Sequence, residues 1–485
     1  MTRGNKFDSF ILIWKDETVN IPIEVYVFFC LSILLIFSFV LVKRVKISWI
    51  NNSVRLIIAS LPLERIPSVN FGGGNIRLSQ VFSLLGAYFL TLCLIKRDQA
   101  VLNKKISGYC LIPAVFLAFS TPSFFQIIDP IRAISTLVST LIVFLAFFLI
   151  SNFAGNIKTH LFDVFSVIFI CCLFGIYQFF GDILNIPTEF TGLRSIYTKE
   201  LFSIPRIHST ALEPLYWAGM LFIPIFLVLF MVFDPKFATQ YFKYLKINPI
   251  ISNFLLKNQQ NLTVLLIMPI IIFNFIFSLS QGAWFAIAPG LAVLLFINRE
   301  IISNWIKFIQ KNTTFVLFKL IIPLFGFVLT LGFIFQKTIL TSFEKFYNHF
   351  ELTLIGKSGS ASQRLGFLDD AYALLKLNPL FGIGPGQFGA NVSPGEAGNF
   401  LIINNVYLEI WLEMGFIPLL IFLIFIFLPF ALVYKKQIKV NTVNLILLLS
   451  LFSYNIQWFF FSPIFIMPIF IILGMIYSQT NNSTD

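Results

Sequence analysis

The chain reads as an all-α polytopic membrane protein, and three observations carry that reading. Hydrophobic residues make up 58% of its 485 residues and charged residues 12%, against about 25% charge in a typical soluble domain. Mean hydropathy is +0.87. Apolar runs of about 17–25 residues, each long enough to cross a bilayer as a helix, recur along the whole length.

Taken in order, the runs predict spans near 21–42, 48–62, 78–95, 107–124, 131–151, 159–183, 211–233, 262–279, 282–297, 315–335, 415–434, 442–457 and 463–478. That makes about 12 transmembrane helices. The first run is too long for a signal-peptide core and lacks a small-residue cleavage site, so it reads as a retained span. The second is short and contains Arg55, which makes a re-entrant segment an alternative. Ser462-Pro463 interrupts the final pair, which reads either as two helices or as one broken helix. Three regions follow: an N-terminal bundle over 1–335, a long loop over 336–414, and C-terminal helices over 415–485. The 62 phenylalanines read as lipid-facing bulk.

The net charge of +12 would suggest nucleic acid in a soluble protein. Here Lys and Arg concentrate in short loops at 43–46, 96–105, 236–257, 299–311 and 435–439, which points to membrane orientation and anionic headgroups. Placing those loops in the cytoplasm puts 63–77, 184–210, 336–414 and the Ser280–Gly282 turn on the far side. Arg194, Lys199 and Arg206 on that side depart from the rule, whereas the charges between Lys337 and Glu396 balance. The five cysteines, Cys30, Cys93, Cys110, Cys171 and Cys172, lie in apolar runs without CxxC spacing. They read as buried thiols, with neither a disulfide framework nor a metal site.

The long loop is predicted to carry an amphipathic helix capped by Ser362 and ending before Asn378-Pro379. Its apolar face would be Leu365, Leu368, Tyr372 and Leu375, laid on the membrane surface as a lid. Polar residues then gather on the far side. Arg206 and Glu213 are seven apart, a spacing that puts both on one helix face, and a guanidinium there can hold a diphosphate through two parallel hydrogen bonds. Gly382-Ile-Gly-Pro-Gly386 can present N–H groups to an anion, Gly384 and Gly386 included, or pack closely under one. A glycine-rich turn is equally a bend between elements. Glu409 and Glu413 share a helix face. Arg132, behind Asp129-Pro130, either completes a basic ring or snorkels to the interface.

The order Arg364…Asn378-Pro379-Leu380, Gly382-x-Gly384-x-Gly386, Asn405-x-Tyr407-Leu408-Glu409, Glu413-x-Gly415 resembles the signature of the O-antigen ligase and O-antigen polymerase family. Arg206 followed by Glu213-Pro214 at a span entrance resembles that family's second marker. The resemblance implies a glycosyltransferase of the inner membrane with its site facing the periplasm. It would move a glycan from a polyprenyl-diphosphate carrier to an acceptor hydroxyl on another glycan or on a lipid A core. Its partners would be that donor, the acceptor, membrane lipids, and a flippase and chain-length regulators, with no nucleic acid and no cofactor or metal. Gln281 stands where family members usually carry arginine. Asn404 stands where the ligases' His-Asn-x-Tyr-Leu motif has its histidine. An asparagine cannot act as a general base, so the change favours a polymerase. The proton then falls to Glu409 first, with Glu213, His208 and His349 as alternatives, while Asn404, Asn405, Tyr407 and Gln281 would contact substrate. His160, at an inferred cytoplasmic boundary, is set aside. The competing class is a carrier of bicarbonate or another small solute. A carrier needs polar groups near the bilayer midplane, whereas the charges here lie mostly at span ends.

Overall fold

The computed structural model describes residues 10–14, 17–21, 41–64, 68–71, 74–199, 204–245, 263–297, 359–392, 401–438, 440–461 and 467–480. The expected spans at 21–42 and 315–335, Cys30 and His349 lie outside these. The fold is helical, with two short antiparallel hairpins, Phe10–Trp14 with Glu17–Ile21 and Ser68–Phe71 with Gly74–Arg77.

The helices run in order as α1 (Ile47–Ala59), α2 (Leu78–Ile95), α3 (Gly108–Gln126), α4 (Pro130–Phe153), α5 (Ile157–Ile183), α6 (Pro214–Phe233) and α7 (Pro235–Tyr244). After these come α8 (Met268–Phe277), α9 (Gln281–Ile297), α10 (Gly359–Leu377), α11 (Val406–Met414), α12 (Phe416–Tyr434), α13 (Thr442–Phe460) and α14 (Met467–Ser478). Among the described residues seven of them, α2 to α6, α12 and α13, are long and apolar enough to cross a membrane. Their starts follow local chemistry. Asp129 accepts hydrogen bonds from the N–H groups of Ile131 and Arg132, with Pro130 in the first helical position. Asn156 caps α5 and Asn441 caps α13 in the same way.

Helix α4 is central. Both α2 and α14 pack on it, and α14 approaches so closely that a Cβ on Gly474 would lie 2.9 Å from Ile150. Small residues at such crossings are how helices associate where water supplies no hydrophobic drive. The last two helices touch one another, and the Ser462-Pro463 interruption between them lies outside the described residues. The phenylalanines correct the expectation of lipid-facing bulk, since more of the described ones are buried than exposed. They interlock edge to face, as Phe147 does with Phe425 at 4.9 Å and 84° and with Tyr477 at 5.8 Å and 90°. Cys93, Cys171 and Cys172 are buried free thiols.

One end of the bundle gathers basic loops. Lys96 Nζ donates to the Val45 carbonyl at 3.1 Å. Arg55 pairs with Asp163 at 2.6 Å, and Tyr244 of α7 donates to the same carboxylate. The opposite end draws together segments far apart in sequence. Thr210 Oγ1 donates to the Pro62 carbonyl at 2.6 Å, the Ile207 N–H to Phe277 at 2.9 Å, and Gln126 Nε2 to Asn378 Oδ1 at 3.0 Å. Thus 62–64, 126–132, 204–213, 278–281, 359–392 and 401–415 share one end.

Helix α10 departs from expectation in two ways. It begins at Gly359, so Ser362 lies in its first turn and is not its cap. Its packed face is Phe367, Leu368, Ala371, Leu374 and Leu375 against Phe388, Leu408 and Leu412, while Leu365 and Tyr372 are exposed.

Candidate active site

The glycine-rich turn and the head of α11 form one clasp. Asn405 Oδ1 accepts from the Leu408 N–H at 3.0 Å and starts α11. The turn then lies along that helix's far end. Ile383 N–H donates to the Leu412 carbonyl at 2.8 Å and Gly384 N–H to the Glu413 carbonyl at 2.9 Å. The Glu413 carboxylate accepts from Gly386 N–H at 2.7 Å and from Phe388 N–H at 3.2 Å. Gly382 (φ +75°) and Gly415 (φ +105°) cannot be replaced cheaply. A Cβ would come within 2.7 Å of the Glu413 backbone at the first and 2.4 Å of the Leu380 carbonyl at the second. Gln387, fully buried, stitches the turn to the start of α4. Its Oε1 accepts from the N–H groups of Ile128 and Asp129, and its Nε2 donates to the Asp129 carbonyl.

This geometry corrects several expectations. The N–H groups of Gly384 and Gly386 are taken by the Glu413 carbonyl and carboxyl, so the partner on this turn is the chain's own residue. Asn405 serves as a helix cap. Tyr407 Oη donates to the Asn455 carbonyl at 2.7 Å and ties α11 to α13. Arg132 is buried 3.5 Å from Asp129 and within electrostatic reach of Glu413, which places it among carboxylates and not in a ring with the other arginines. Burial, reinforced by Glu409, pushes the Glu413 carboxyl up to about 8 against the opposing pull of the two N–H donors and Arg132.

A second cluster carries the positive charge. Glu213, at the head of α6, is surrounded by Arg194, Arg206 and Arg364. Burial raises its carboxyl although one side opens to solvent, and the three guanidiniums oppose that rise. Burial likewise lowers Arg206 and Arg364, with Glu213 opposing it in both. Tyr197 lies under two of the cations, 5.6 Å from Arg206 and 5.7 Å from Arg194. Arg206 Nη2 donates to the Leu279 carbonyl at 3.4 Å, which brings it to the turn that carries Gln281. Gln281, half-buried, opens α9 there.

Of the proton-acceptor candidates, His208 is corrected. It is fully buried, its Nε2 accepts from the Arg194 N–H at 3.3 Å, and its Nδ1 faces the Ala211 carbonyl at 3.1 Å. With Nδ1–H donating, both nitrogens are engaged by backbone, and the ring ties Arg194 to Ala211. Glu409 is buried on α11, and Tyr216 of α6 lies within electrostatic reach of both Glu409 and Glu213. Asn404 is half-buried with φ +60°, a conformation that asparagine tolerates better than most side chains.

Sequence reasoning missed Arg194 and Tyr197, and also a buried ion pair, Glu64 with Arg77, within reach of Glu213. The available signal was an acid just past the end of the 48–62 run and an arginine opening the next span.

Residues 265–423 match the family model described as O-antigen ligase. Arg364, inside the matched range, meets Arg206 and Glu213, which precede it. No curated protein and no solved structure matches the chain.

Proposed function

From that match we propose that the protein is a polymerase-type glycosyltransferase, moving a glycan from a polyprenyl-diphosphate carrier to a hydroxyl of a second lipid-linked glycan at the outer face of the inner membrane. The observation that carries this reading is the arrangement of Arg194, Arg206 and Arg364 around one carboxylate beside the span α6. Positive charge in excess at a span entrance suits two phosphates held at headgroup depth, with the hydrocarbon tail alongside and the glycan in water. The guanidiniums would stabilise the diphosphate as its bond to the anomeric carbon breaks. The acceptor oxygen forms the new bond to that carbon, and its proton passes to a carboxylate. Glu409 is the leading acceptor and Glu213 the alternative. Gln281 and Asn404 would contact the glycan as neutral hydrogen-bonding groups.

Asn404 supports the polymerase over the ligase, because the ligase motif's histidine is absent. The description of the matching family favours the ligase, which is the second reading. The surface glycan of a deletion strain tests both. Attached single repeat units without long chains mean polymerase, and loss of all attached glycan means ligase. Unchanged glycan with impaired solute uptake would overturn the transferase in favour of a carrier.

A further inference from the structure

Glu64 and Arg77 are 2% and 7% exposed. Charges at that depth ordinarily persist only when paired and well hydrogen-bonded. This pair is loosely made. Arg77 Nη1 stands 3.5 Å from Glu64 Oε1, longer than the roughly 2.7–2.9 Å of a charge-assisted hydrogen bond. Among the described residues neither Glu64 oxygen nor Arg77 Nη1 closes a hydrogen bond of good geometry. The Leu212 N–H points toward Glu64 without completing one. The hairpin Ser68–Phe71/Gly74–Arg77 sets Ser68 opposite Arg77 and so folds the loop back on Glu64.

The surroundings are polar in the same unfinished way. Tyr454 lies within electrostatic reach of Glu64, and its hydroxyl is buried without a partner among the described residues. Tyr216 is within reach of Glu64, Arg77, Glu213 and Glu409 together. Buried polar groups that the fold leaves unsatisfied mark a place where a ligand or ordered water completes them.

We propose that Glu64 and Arg77, with Tyr454 beside them, form a sugar-binding subsite that holds the acceptor glycan next to the arginine cluster. A carboxylate accepts from two hydroxyls and a guanidinium donates to two, which complements neighbouring hydroxyls on one sugar ring. A phosphate suits the site poorly, because Glu64 and Glu213 would both repel it. The pair is a binding element only, and no proton or bond is routed through it. The assignment of this glycan as acceptor rests on the transferase reading above, whereas the subsite itself does not.

The test uses the full chain in detergent and two probes. One is the glycan released by mild acid from the cells' own lipid carrier and tagged with a fluorophore at its reducing end. The other is bare polyprenyl diphosphate. Since Glu64→Gln or Arg77→Met alone strands its partner and can misfold the protein, the deciding variant carries both. It should bind the tagged glycan at least tenfold more weakly and the diphosphate as wild type does, while Arg206→Ala with Arg364→Ala should do the reverse. Wild-type glycan affinity in the folded double variant, or no glycan binding by wild type, overturns the subsite and leaves a structural ion pair. Glycan binding that depends on the pair, with no diphosphate binding in wild type, keeps the subsite and sinks the donor reading instead.

Discussion

Replacing Glu413 with alanine should open the clasp without unfolding the bundle. The carboxylate accepts from two backbone N–H groups, Gly386 at 2.7 Å and Phe388 at 3.2 Å. Stranding a buried donor costs about 1–3 kcal/mol. Phe388 is buried, whereas Gly386 is only partly so, which puts the total near the lower half of the range, about 2–4 kcal/mol. That is a fraction of the roughly 5–15 kcal/mol that holds a typical domain together, so the loss should appear locally. In hydrogen exchange on the detergent-solubilised protein, the amides of Ile383, Gly384, Gly386 and Phe388 should lose protection by about 30–1,000-fold. Those of α4 should be unchanged. The pH dependence has a definite sign. The folded carboxyl titrates at about 8, above its ordinary 4.5, so this group's contribution to stability is fully present below 4.5 and is lost as pH rises through about 8. Wild-type clasp protection, corrected for intrinsic exchange, should fall between pH 7 and 9. Glu413→Gln should start weaker, having one oxygen for two donors, and stay flat with pH. Equal protection in wild type and Glu413→Ala, or a wild-type clasp that tightens as pH rises, would refute the reasoning.

Three further outcomes are expected. Arg206→Ala and Arg364→Ala should each abolish transfer from a polyprenyl-diphosphate glycan, with Lys a poor substitute because planar two-point phosphate binding is lost; normal chain length in well-expressed variants would contradict it. Glu409→Gln should reduce the rate by about 10²–10⁴-fold as the loss of a general base does, whereas Asn404→Ala should cost modestly, with hydrogen bonds worth about 1 kcal/mol each, and Asn404→His should retain activity. Purified variants assayed across a pH range check this, and a fully active Glu409→Gln would move the role to Glu213. A cysteine at the exposed Lys376 should react with a membrane-impermeant thiol reagent in cells whose outer barrier is opened; labelling only after lysis would put the site on the cytoplasmic face.

How much of this was legible in the sequence depended on which physical signal a residue leaves. Spans such as α4 and α5 were plain, because a run of that length has few soluble alternatives. The meeting of Arg206 with Arg364 was foreshadowed only by resemblance, since no periodicity links residues so far apart. The glycine turn was found at the right place with the wrong occupant. A sequence shows that N–H groups can converge on an anion, but not that the anion is Glu413, twenty-seven residues ahead of Gly386. Arg194 and Glu64 were passed over because charge at a span end is normally solvated at the interface, and only packing reveals that Glu64 is sealed in. Histidine 208 drew suspicion by residue type, yet backbone partners at both nitrogens are as invisible in sequence as any loop conformation.

The occupied glycine turn bears on where a lipid diphosphate would go. Two anion-ready places exist at this end of the bundle: the N–H groups of Gly386 and Phe388, and the guanidiniums around Glu213. Glu413 fills the first with its own carboxyl group, and Glu409 lies within electrostatic reach of it. A phosphate entering that turn would find its N–H donors already taken and would lose its hydration without compensation. The second place has one carboxylate against three guanidiniums and one side open to water. In the proposed reaction the clasp therefore does more than hold α11 in place. By occupying those N–H groups with its own carboxyl it leaves the donor's phosphates to Arg206 and Arg364, and it leaves Glu409 near Tyr216, on the side from which an acceptor hydroxyl would approach.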